Sequence, residues 1–140
     1  MLDVEHAARL QGRDSVGDLR ISLSAERLKQ ALGSATVDAL LKAFGGVVDT
    51  VKLRRVCELG ACVAFHTDCS SRTMHVALND ESEYDGGRLV FATPAGFEVP
   101  SRPAGTATIH TDRVAHGVTT MQSGVRYSLF LCDSRQAHEQ

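Results

Sequence analysis

Apolar and polar positions alternate along this chain with two different periods, and the change between them divides it. Residues 1–20 are polar and weakly patterned, which predicts a loose lead-in, and Ile21 to Leu23 can form a short strand. From Ser24 the period is helical. Ser24 can cap a helix with Leu28, Ala31 and Leu32 on one face, ending at Gly33. Ser34 is expected to cap a second helix, in which Val37, Leu40, Leu41 and Phe44 repeat at helical spacing before Gly45-Gly46 closes it. Residues 21–46 therefore read as a helical support that packs on a sheet.

From Val47 the period shortens to that of strands. Apolar or alternating runs occupy 47–57, 61–66, 72–78, 88–92, 97–99, 105–111 and 125–132, separated by turn-forming stretches such as Asp85-Gly86-Gly87, Thr93-Pro94-Ala95-Gly96 and Pro103-Ala104-Gly105. Many short strands at close spacing predict a sandwich or barrel of antiparallel strands. The expectation is an α+β chain, mainly β. With no repeat, low-complexity tract or Pro/Ser-rich linker, its 140 residues read as a single domain with its β core at 47–132.

Composition narrows the partners. The chain is 43% hydrophobic and 23% charged, which is ordinary for a folded globular protein. A formal net charge of -2 gives no general attraction to phosphate backbones or anionic lipid, so neither nucleic acid nor membrane is expected as a partner. No apolar run approaches the about 18 residues that cross a bilayer. The opening residues have acidic groups where a secretory signal has a basic stretch and an apolar core. Cys57, Cys62, Cys69 and Cys132 show no CxxC spacing and are too sparse for a disulfide framework, and a reduced cytoplasmic or other intracellular setting is expected.

The chemistry concentrates around His66-Thr67-Asp68, at the end of the apolar run Ala61 to Phe65. If these residues stay extended, His66 and Asp68 face the same way and can reach one metal ion. A third ligand has to come from the facing side of a barrel. His116 precedes the strand 125–132, whereas His110 lies inside an extended run with no arginine or lysine ten residues later, so His116 is preferred. Two histidines and a carboxylate on one face of an iron(II) ion leave three positions open, enough for a chelating 2-oxo acid and dioxygen. The distal carboxylate of 2-oxoglutarate then needs a cation. Arg126 follows His116 by ten residues, and its planar fork suits a carboxylate. Alternation puts Arg126, Ser128 and Phe130 on one face, so the Ser128 hydroxyl can bond the same group, with Tyr127, Leu129 and Leu131 opposite.

In order along the chain, these residues resemble the prolyl 4-hydroxylase-like branch of the 2-oxoglutarate/iron(II) dioxygenases. His66-Thr67-Asp68 is similar to the family's HxD, and Arg72-Thr73 with Leu78-Asn79 to the strand that follows it. Tyr84-Asp85-Gly86-Gly87-Arg88-Leu89-Val90-Phe91 resembles its GG hairpin, and Pro103 with Gly105 its following turn. His116-Gly117-Val118 and Ser123-Gly124-Val125-Arg126-Tyr127-Ser128-Leu129 resemble the distal histidine and "G-x-R-Y-S-L". The likeness covers roughly residues 50 to 132. It implies a double-stranded β-helix, or jelly roll, with N-terminal helices packed on the sheet. It also implies hydroxylation of a C–H bond coupled to oxidative decarboxylation of 2-oxoglutarate to succinate and carbon dioxide, with Fe(II) as cofactor and O2 as oxidant. An acidic ligand at Asp68 disfavours halogenation.

The pattern also departs from the family. Ala77 stands where a cosubstrate-contacting tyrosine often lies. Thr73 and His75 share its face and are expected to line the cosubstrate pocket, although His75 reads equally as a hydrogen-bonded core residue. Arg88 takes a position often held by an acid or threonine. Cys69 reads as a packed thiol or one exposed to oxidants made at the metal. The basic stretch Lys52-Leu53-Arg54-Arg55 reads first as a solvated strand face, with an acidic substrate or partner as the sharper alternative. The substrate is expected to be a protein or peptide side chain, proline by resemblance, or a small molecule. A non-catalytic jelly-roll module and a cupin-type metalloenzyme without a 2-oxo acid are the competing readings.

Overall fold

A computed structural model describes residues 17–57 and 59–135; residues 1–16, most of the expected lead-in, lie outside the described part. Asp18–Ser22 form β1, so three residues assigned to the lead-in are strand. Two helices follow, α1 (Ala25–Leu32) and α2 (Ser34–Phe44). Ser24 caps α1 by accepting a hydrogen bond from the Arg27 N–H. Ser34 does not cap α2. It is the first residue of that helix, Gly33 is the capping residue, and no side-chain bond is made there. Gly45 ends α2 in the left-handed conformation, at φ 68°.

Ten strands follow: β2 (Thr50–Val56), β3 (Val63–His66), β4 (Arg72–Ala77), β5 (Tyr84–Gly86), β6 (Leu89–Thr93), β7 (Gly96–Glu98), β8 (Ala107–Thr111), β9 (His116–Val118), β10 (Met121–Gly124) and β11 (Arg126–Asp133). They make a five-stranded sheet in the order β1-β2-β11-β4-β8, a four-stranded sheet β3-β9-β6-β7 and a two-stranded ribbon β10-β5. Every pairing is antiparallel. This is the expected jelly roll. β5, β9 and β10 had no counterpart among the predicted runs, because three or four residues are too few to show an alternation.

The five-stranded sheet is buried on both faces. One face takes Met74, Val76, Leu129 and Leu131 against Leu28, Val37 and Phe44 of the helices. Arg72 of β4 fastens this layer by donating to the carbonyls of Phe44 and Gly45 at 2.8 and 3.2 Å. The opposite face points between the sheets and carries Thr73, His75, Arg126 and Phe130, which line a cavity. The bland reading of Lys52-Leu53-Arg54-Arg55 as a solvated face holds for Lys52 alone, which is exposed. Leu53 and Arg55 are buried, Arg54 is half-buried, and Lys52 and Arg54 line the same cavity. Among the described residues no helix is long and apolar enough to cross a membrane.

Candidate active site

β3 and β9 pair so that His66 and His116 are direct cross-strand partners. Their ring centroids lie 4.5 Å apart. Each Nδ1 sits against a main-chain oxygen two residues back, Ala64 at 2.9 Å for His66 and Val114 at 3.1 Å for His116. A ring N–H donated there leaves the lone pair on Nε2. Both Nε2 atoms face Asp68 Oδ1 at 3.4 Å. Donor atoms of the three residues all lie within 4.8 Å of one another. Three electron-rich atoms converging on one point repel unless a cation, a proton on an imidazole or a metal ion, stands between them; the donor set fits a metal of the iron or zinc kind.

The other oxygen of Asp68 is held from the five-stranded sheet. Thr73 donates its hydroxyl to Oδ2 at 2.6 Å, and His110 Nε2 lies 2.8 Å from the same atom. Burial opposes ionisation of Asp68, but hydrogen bonds from His110, His116 and Thr73 outweigh it and hold the carboxyl far below the usual carboxylate range. The hydrogen bond to Asp68 in turn raises His116 above the ordinary histidine value, against the effect of its burial. His110, weighed as a third ligand, thus stands behind the carboxylate. Its orienting contact left no trace in the sequence, where it is one histidine in an extended run.

Arg126 enters the cavity from β11 and is only 4% exposed. Its Nη1 donates to the Gly87 carbonyl at 2.6 Å, while Nε is buried with no partner. No carboxylate pairs with it among the described residues. Burial, followed by the nearby Arg54 guanidinium, pushes its pKa down to about 10. A buried guanidinium without a counter-ion is costly, and the group asks for an anion. The Gly86-Gly87 turn aims that carbonyl. Both glycines have positive φ, 69° and 58°, and a Cβ on Gly87 would meet Met121 Sδ at 2.9 Å.

Of the other expected cosubstrate residues, Thr73 lines the cavity but gives its proton to Asp68. His75 lines it too, stacked on Phe130 with centroids 4.2 Å apart and its Nε2 unpartnered. Its burial, reinforced by the charges of Arg102 and Arg126, keeps it neutral far below the ordinary histidine range. Ser128 is buried on the same face as Arg126 but does not line the cavity. Cys69 is an exposed free thiol at the cavity wall. Arg88 pairs with Glu81 at 2.7 Å and does not line the cavity.

No family model matches the chain. Over 57 residues it is 40% identical to a PKHD-type hydroxylase of Shewanella frigidimarina, covering 41% of this chain and 25% of that protein. It is 27% identical over 126 residues to a PKHD-type hydroxylase of Xylella fastidiosa, covering 74% and 55%. The chain thus spans a quarter to about half of these relatives' lengths. Among solved structures it superposes on a Trichoplax adhaerens prolyl hydroxylase bound to a hypoxia inducible factor peptide fragment, with TM-score 0.66 and 14% identity over 91% of this chain and 70% of that one. A 2OG-Fe(II) oxygenase family oxidoreductase of Burkholderia pseudomallei gives TM-score 0.62 and 16% identity, covering 82% and 66%. Both solved structures are under 25% identical to this chain, and the likeness is one of fold: a jelly roll shared with a prolyl hydroxylase and a 2OG-Fe(II) oxygenase family oxidoreductase. The cavity between the two sheets of this jelly roll contains the His66/Asp68/His116 cluster and Arg126 together.

Proposed function

We propose that this chain is a 2-oxoglutarate- and iron(II)-dependent oxygenase that hydroxylates a C–H bond, with His66, Asp68 and His116 as the iron ligands and Arg126 as the anchor of the cosubstrate. The observation that carries this reading is that one cavity of about 370 Å³ contains both three converging metal-ligating side chains and a buried guanidinium that no carboxylate of the described residues pairs. Iron and 2-oxoglutarate would suit these two features. When bound, they would supply activation of dioxygen, the oxidant, which takes two of its four electrons from decarboxylation of the 2-oxo acid to succinate and carbon dioxide and two from the C–H bond that is hydroxylated. The chain's own residues do the rest. Thr73 and His110 keep Asp68 ionised and aimed, so that one oxygen faces the histidines. The main-chain contacts of His66 and His116 fix the tautomer that presents Nε2. Arg126, steadied by Gly87, fixes the orientation of the cosubstrate by its far carboxylate. His75 and Phe130 form an uncharged wall that excludes water.

The hydroxylated group is proposed to be a side chain of a protein or peptide, prolyl by analogy with the neighbour whose structure includes a peptide, or else a small molecule on the same fold. Anaerobic iron(II) with 2-oxoglutarate should give the weak visible charge-transfer band of a chelated 2-oxo acid, and oxygen should then release succinate. Metal binding without 2-oxoglutarate binding would favour the cupin-type reading. Absence of metal binding would favour a non-catalytic module.

A further inference from the structure

The wall of the cavity formed by β1 and β2 is basic. Arg20, Lys52 and Arg54 line it in addition to Arg126, and Asp68 is the one acidic residue among the lining side chains. Strand register produces this. Lys52 stands opposite Phe130 and Arg54 opposite Ser128, which puts both on the cavity face of the sheet, with Arg20 opposite Arg54 on the edge strand. Asp18 lies behind, gripping Arg54 at 2.7 and 2.8 Å and touching Arg20 at 3.3 Å. The whole chain carries a net charge of -2, so this wall is a local accumulation.

Charge balance separates the wall from the cosubstrate. With a divalent ion and both carboxylates of 2-oxoglutarate in place, the ion and the four basic residues together carry six positive charges against four negative ones, those of Asp68, Asp18 and the two carboxylates. Arg126 is the buried cation suited to the cosubstrate. Lys52 is exposed, and among the described residues it has no ion pair with a carboxylate. A cleft lined by one sign of charge concentrates the opposite sign at its mouth. An uncharged prolyl side chain would make no use of it.

Resting on the oxygenase reading above, we propose that the substrate carries an anionic group, carboxylate or phosphate, which seats against Lys52 with Arg20 and Arg54 beside it, while the carbon to be oxidised faces the His66/Asp68/His116 cluster. The test uses the chain loaded with zinc, which supports no turnover, and saturated with 2-oxoglutarate. Acetate, inorganic phosphate and neutral acetamide are titrated separately while amide NMR shifts are followed. Acetate or phosphate should shift Val51, Lys52 and Leu53, the stronger of the two naming the group, and acetamide should not. Lys52→Gln should weaken the anion about fivefold, and Lys52→Arg should restore it. Equal shifts with acetamide, or shifts that survive Lys52→Gln, would overturn the proposal. Anion shifts that appear only when 2-oxoglutarate is left out would also overturn it, by assigning Lys52 to the cosubstrate. A chain that fails to bind 2-oxoglutarate yet still binds acetate at Lys52 would sink the oxygenase reading while supporting the anion site.

Discussion

At the scale of single residues, the site separates into groups that face the proposed ion and groups that hold them. His116→Ala removes a donor, so the charge-transfer band with iron(II) and 2-oxoglutarate should vanish. His110→Ala removes only a hydrogen bond to the far oxygen of Asp68, so the band should persist with iron affinity reduced by roughly tenfold to a hundredfold. The opposite outcome would exchange the two roles. Arg126→Ala should weaken 2-oxoglutarate by about 3 kcal/mol, on the order of a hundredfold, with iron affinity little changed, as titration of the same band would report. His75 predicts a pH effect. Its folded pKa lies below the unfolded value, so the unfolded chain binds the extra proton and stability falls as pH drops below about 6.5. Metal-free protein should lose Tm between pH 7.5 and 5.5 more steeply than His75→Phe, which keeps a ring against Phe130 but cannot titrate. The grouping of His66 with Asp68, and of Arg126 with Phe130, was legible from strand alternation, and His116 from its spacing to Arg126. His110 was not, since a histidine's partner five strands of folding away is invisible in sequence.

At the scale of elements, the longer strands and both helices could be read from their periods, and the misreadings have physical causes. β9 places His116 directly across from His66, yet three residues give no measurable period. Arg54 and Arg55 looked solvated because charge was read without its neighbours; β1 and β11 flank β2 on both edges and turn the stretch into an interior strand. Asn79 was noticed only by resemblance. The structure gives it a task, bonding the Val125 carbonyl and the Tyr127 N–H at 2.8 Å each and so pinning the start of the strand that carries Arg126. The Gly86-Gly87 turn does the same from the other side. Gly87→Ala combines a positive φ with a contact at 2.9 Å, so it should displace the carbonyl that steadies Arg126. The expected result is a loss of 2-oxoglutarate affinity larger than the loss of iron affinity, together with a destabilisation of roughly 1–3 kcal/mol by denaturant unfolding.

At the scale of the whole molecule, the cluster joins parts that the chain connects only through short loops. His66 and His116 belong to the four-stranded sheet, and the carboxylate between them is gripped by Thr73 and His110 of the five-stranded one. Anything that binds the folded chain and not the unfolded one stabilises it by mass action, about 2.7 kcal/mol at a hundred times the dissociation constant. Anaerobic iron(II), or zinc as a redox-inert substitute, should therefore raise Tm, and a chelator should reverse the gain. Hydrogen exchange would show where that stabilisation resides. Because the proposed ligands sit at the seam, the ion would act as a clasp: amides of β3, β9 and residues 67–71 should open together when it leaves, while the helix-backed half of the sheet stays shut. Loss of the ion would then loosen one edge of the sandwich first, freeing the backbone around Cys69, whose thiol already stands exposed at the cavity wall.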